Sequence, residues 1–198
     1  VAYTLSRFLL PVEGAVARLR LGAHTLARVA VPTVLWVAAG MALFGAYSWG
    51  TLLLVNDYTG PRHHRDDYWH FWFVEVMVQT IVPLLLLLAI PAVRRIERRW
   101  QYALPLALVP VSILLRQEWA QWGGWYNLRY QAHGALLFFV LGWLVQRSVT
   151  LRQKLLTTAV VAATVYDTFG VYRREIYIAG ALVVLLWCRE VPLPRAVA

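Results

Sequence analysis

Six apolar stretches, at 28–55, 69–93, 101–116, 131–146, 155–170 and 175–188, alternate with short polar segments along the chain. Runs of this kind predict helices that cross a bilayer, since a crossing takes about 20 apolar residues and leaves no backbone group unpaired in lipid. The first two stretches are long enough alone. The last four are shorter and need aromatic flanks, such as Trp100, Tyr102, Trp119, Trp122, Trp125, Tyr126 and Tyr130, to complete the crossing. Pro105 and Pro110 predict a kink in the third. Residues 1–27, where Leu and Phe are interspersed with Arg, predict an amphipathic arm on the inner membrane surface. The fold expected is all-α: a polytopic transmembrane helix bundle of about six spans over 28–188, followed by a tail at 189–198.

Charge gives the bundle a direction. Alternate polar segments hold 4, 4, 3 and 2 basic residues, against 2 in each intervening loop. Basic loops stay on the cytoplasmic side, so both termini of this integral membrane protein are expected there. Composition agrees: 60% of residues are hydrophobic and ten are Trp, with a mean hydropathy of +0.56, more apolar surface than one soluble domain of this length hides. The net charge of +9 lies on scattered short turns rather than on one stripe, so lipid headgroups are the expected partner and nucleic acid is not. Cys188 is the single cysteine, which excludes an internal disulfide or a thiolate metal cluster.

Ionisable groups at membrane depth are costly, by roughly 2.5–3.5 kcal/mol each, and so mark function or specific pairing. Glu75 is the clearest, with Gln79 one turn further on the same helical face and Phe71 and Trp72 one turn before. Its carboxylate either handles a substrate group or bonds a neighbouring helix. His70, Arg116, Glu118, His133, Asp167 and Arg173 are expected at the same outer level. Each of them also has a plain reading, as a solvated or ion-paired helix end. His63, His64, Asp66 and Asp67 offer zinc-type donors, but adjacent side chains point apart and the spacing fits no metal motif, so no metal is expected. GxSxG, Walker-type and HExxH motifs are absent, which removes the common soluble hydrolase, nucleotidase and zincin chemistries.

Three segments resemble the integral-membrane acyltransferase family 3: Arg28–Trp36 (RVAVPTVLW), Tyr68–Pro83 (YWHFWFVEVMVQTIVP) and Phe138–Leu144 (FFVLGWL). They follow the family's order through most of the chain from residue 20 to 190. The resemblance implies transfer of an acyl group, commonly acetyl from acetyl-CoA as co-substrate with no bound cofactor, to a hydroxyl of a carbohydrate or lipid of the cell envelope. It assigns Arg28, Trp72, Glu75 and Gln79 to the passage for donor or acceptor, with His70, Arg116, His133 and Asp167 at its outer end. The inner Arg94, Arg95, Arg98 and Arg99 would meet the CoA phosphates. Thr25 stands where the first of the family's paired Arg would be, and the family's functional His has no counterpart. The resemblance therefore implies an acyltransferase or the truncated remainder of one, with the catalytic group unassigned, Glu75 the candidate for it, and the missing helices supplied by another chain or an upstream reading frame. The alternative is a non-enzymatic transporter-like or scaffold bundle with Glu75 and Asp167 as a polar path.

Overall fold

The computed structural model describes residues 7, 9–59, 71–116, 131–165 and 172–188, and among these every regular element is helical. The N-terminal half comprises α1 (Ala15–Phe44), the short α2 (Trp49–Leu52) and α3 (Asn56–Thr59), then α4 (Trp72–Ala89) and α5 (Pro91–Arg99). The remainder is α6 (Ala103–Leu115), α7 (Ala132–Arg147), α8 (Leu151–Val165) and α9 (Tyr172–Trp187). Each of the six apolar stretches thus contributes one long helix, while α2, α3 and α5 connect them.

The first boundary differs from the sequence expectation. Helix α1 begins at Ala15 and runs without a break through residue 28, because Arg18, Gly22 and Leu26, one turn apart, form a continuous buried stripe. It also stops before residue 55. Gly45 adopts the left-handed conformation (φ 62°), its amide bonds the Met41 carbonyl at 3.2 Å and the Ala46 amide bonds the Gly40 carbonyl at 3.2 Å, which caps the last turn. The second stretch ends similarly early. Ile90 is extended (ψ 122°) and Pro91 opens α5, where its missing N–H costs nothing. Both prolines of the third stretch are accommodated in α6: Pro105 lies in the first turn, where its amide has no intrahelical partner anyway, and only Pro110 is interior.

Among the described residues two helices, α1 with 30 residues and α4 with 18, are long and apolar enough to cross a membrane. Helices α6 and α7 are apolar but shorter. Large apolar side chains face outward on α1 and α4, among them Leu35, Trp36, Phe44, Leu86 and Leu87.

Helix α1 packs on α4, α4 on α7, and α7 on both α6 and α9, with α8 against α9. Helix α7 is therefore the centre of the bundle. Leu137, Val140, Leu141 and Leu144 on α7 meet Val109 of α6 and Val161 and Val165 of α8 in the main core. In the α1–α4 contact Gly22 has no side chain, and Leu85 fills the space.

Long helices successive in the chain alternate in direction, as their end contacts record. At one end, Arg18 near the start of α1 donates to the Leu88 carbonyl near the end of α4 (2.5 Å), and Arg147 at the end of α7 reaches Glu97 of α5. Tyr102, preceding α6, bonds the Gln153 carbonyl in the first turn of α8 (3.2 Å), where Lys154 lies 5.3 Å from the ring of Trp187 at the end of α9. At the opposite end, Tyr47 after α1 stacks edge-on with Phe71 before α4 (5.5 Å), and Tyr58 of α3 approaches His133 at the start of α7.

Candidate functional site

A cavity of about 350 Å³ lies between α4, α6, α7 and the segment before α1. Its walls are mostly apolar: Leu84 and Leu87 from α4, Leu108 from α6, Leu136, Phe139 and Val140 from α7. Gln79, Thr80 and His133 form one end, and Leu9, Leu10 and Trp143 the other. His133 and Trp143 stand ten residues apart on one helix, so the cavity extends about 15 Å along the bundle.

The polar end is held by the connection from α1 to α4. Ser48 caps α2 by accepting from the Thr51 amide (3.4 Å). Leu54 then takes a left-handed conformation (φ 57°), and its carbonyl accepts from Gln79 Nε2 at 2.7 Å. Across the cavity, the Tyr58 hydroxyl lies 3.5 Å from His133 Nδ1, with the rings 6.3 Å apart. Gln79 and His133 thus face the same space from different helices, each steadied by a residue of the α1–α4 connection.

The basic end contains a buried ion cluster. Glu97 is fully buried on the amphipathic α5 and pairs with Arg94 one turn earlier and with Arg147 of α7 (2.5 Å). Arg94 also donates to the Leu10 carbonyl, which anchors the segment that closes the apolar end of the cavity. Burial, reinforced by the nearby Arg18, Arg98 and Arg147 guanidiniums, lowers the pKa of Arg94 to about 10. Arg18, only 4% exposed, fills one of the free carbonyls that end α4.

Of the residues singled out from sequence, Gln79 and His133 line the cavity. Glu75 is buried in the first turn of α4 and is not part of the lining; the free amides of a helix start favour a carboxylate there. Trp72 is half-buried against Phe73, with ring centroids 5.9 Å apart. Arg28 is exposed on α1, away from the cavity, and Arg116 is half-buried at the end of α6. Arg95, Arg98 and Arg99 are exposed on α5, whereas Arg94 is engaged inward. His70, Asp167, Glu118 and the stretch holding His63, His64, Asp66 and Asp67 lie outside the described residues.

Thr80, Trp143 and Arg18 were not anticipated. Arg18 was legible in principle as the first member of the Arg18, Gly22, Leu26 stripe, but the Arg-rich composition around it reads as a surface arm. Comparison with known protein families, with curated proteins and with solved structures finds no match to this chain.

Proposed function

We propose that this chain is a six-helix membrane bundle that takes part in acyl transfer from an acyl-CoA to a hydroxyl acceptor of the cell envelope. The observation that carries the reading is the meeting of two family-resembling segments at one cavity: Gln79 and Pro83 come from the first, Phe139 and Trp143 from the second. Segments picked out only by likeness to the integral-membrane acyltransferases need not share a space; here they line opposite walls.

The reading of six crossings is supported by the alternating directions of successive helices together with the alternating charge, since Arg18, the arginines of α5 and Arg147 gather at one end. That end is the cytoplasmic one in this reading. Its exposed Arg95, Arg98 and Arg99 are free of the Glu97 cluster and offer guanidiniums to CoA phosphates, while the polar end of the cavity receives the acceptor. In the reaction, the acceptor oxygen attacks the thioester carbonyl, the C–O bond forms as the C–S bond breaks, and the acceptor proton ends on the CoA sulfur. His133 beside Tyr58 is the group of the described cavity suited to carrying that proton, provided it comes within about 3 Å of the acceptor.

The test is transfer of labelled acetyl from acetyl-CoA in membranes holding only this chain, against membranes without it and membranes with helices supplied by a second chain. Label in an envelope lipid or carbohydrate in either of the two chain-bearing preparations, above that in membranes without the chain, supports the reading. Absence of label in both leaves a non-enzymatic bundle.

A further inference from the structure

Resting on the membrane reading above, we propose that the cavity binds one aliphatic chain of a neutral lipid, an alcohol or ester, with its oxygen-bearing end at Gln79 and Thr80. The argument starts from a hydroxyl. Thr25, Thr33, Thr158 and Thr164 each donate to the carbonyl four residues earlier, at 2.7–2.9 Å, as helical threonines commonly do. Thr80 does not. Its Oγ1 is buried without a partner, and the residue is 8% exposed on the cavity wall. A buried hydroxyl left so costs about 1–3 kcal/mol, which a ligand oxygen would offset.

Two neighbours repeat the pattern. Gln79 spends its Nε2 on Leu54, yet its Oε1 is buried without a partner. Pro83, one turn on, has no N–H to give to the Gln79 main-chain carbonyl. This corner therefore presents a hydroxyl beside unfilled acceptors, a set that matches an alcohol or ester oxygen. A phosphate or carboxylate matches less well, since among the described residues no Arg or Lys lines the cavity.

The remaining wall has the shape of a chain. From the polar corner it continues as Leu84, Leu87, Leu136 and Val140 to Leu10, over about 15 Å, far more than an acetyl group occupies. Pro83 and Leu87 both line the cavity and are exposed on the flank of α4, so the opening is lateral. At that position a bilayer presents hydrocarbon rather than water. In the transfer reading this lipid is the acceptor, its hydroxyl placed between Thr80 and His133.

The experiment uses the full chain in phosphatidylcholine nanodiscs with monooleoylglycerol that carries a diazirine in its acyl chain. Expected are saturable adducts on residues 79–87 and 132–143, displaced by unlabelled monooleoylglycerol. Leu136→Trp should remove them by filling the cavity. Thr80→Val should weaken displacement roughly tenfold, the loss of one buried hydrogen bond, and leave labelling by a diazirine alkane unchanged. Adducts spread equally over exposed Leu35 and Phe44, or indifferent to both variants, would overturn the proposal, as would equal displacement by oleate. Saturable binding with no acetyl transfer keeps the lipid site and ends the transferase reading; transfer with no saturable binding ends the lipid site alone.

Discussion

Arg147 Nη2 lies 2.5 Å from Glu97 Oε1, which ties the end of the central helix α7 to the connecting helix α5. Glu97 is fully buried and serves Arg94 as well, so one carboxylate balances two guanidiniums. Taking such a carboxylate away strands both cations. Glu97→Gln is expected to destabilise the bundle by about 3–5 kcal/mol, the usual cost of breaking a buried pair from one side. Unfolding in mixed micelles checks it. Replacing Glu97, Arg94 and Arg147 together by apolar residues should cost less than Glu97→Gln alone.

Gly22 of α1 makes room for Leu85 of α4: a Cβ there would meet the Leu85 side chain at 2.5 Å. Small residues at helix contacts let backbones approach and gain dispersion. Gly22→Leu should overpack this contact and cost about 1–3 kcal/mol. Leu85→Ala in the same chain should recover part of the loss. A double-mutant cycle by thermal unfolding reads the coupling, and strict additivity would show that the two residues do not share the space.

Gln79 holds the α2–α3 connection through the Leu54 carbonyl, at 2.7 Å. Gln79→Leu removes that donor and leaves the carbonyl to find water. The expected result is a loss of about 1 kcal/mol and faster amide exchange over residues 48–59, with α7 unaffected. Equal exchange in both proteins would mean that the connection is held by its own turns.

Arg94 was grouped by sequence with three neighbours as a phosphate contact, but the structure engages it with Glu97 and Leu10. Within the transfer reading the four arginines therefore separate. Neutralising Arg95, Arg98 and Arg99 to Gln should raise the apparent KM for acyl-CoA, an effect that fades in high salt, and leave unfolding unchanged. Arg94→Gln should instead lower stability. Identical behaviour of all four would remove the distinction.

Helix existence was legible because long apolar runs have few other outcomes. Helix ends were less so. Gly45 and Pro91 each stop a helix inside an apolar run, where local backbone chemistry overrides hydrophobicity. The site was half legible. Gln79 stood out as polar within an apolar run, but Thr80 reads as an ordinary helical threonine until its missing back-bond is seen. Glu75 attracted attention by charge, and its position in a first turn gives that charge a structural reason. Arg18 and Arg94 illustrate a further limit: a sequence counts charges but does not tell which turn inward to serve carbonyls.

Labelling by a membrane-impermeant thiol reagent tests the bundle most directly, in a Cys188→Ser background with single cysteines at Arg98, Arg152 or Phe44. Arg98→Cys and Arg152→Cys should react only from the cytoplasmic side, in inverted vesicles, and Phe44→Cys only in intact cells. Reaction of Arg98→Cys and Phe44→Cys from the same side would contradict the alternating six-helix arrangement.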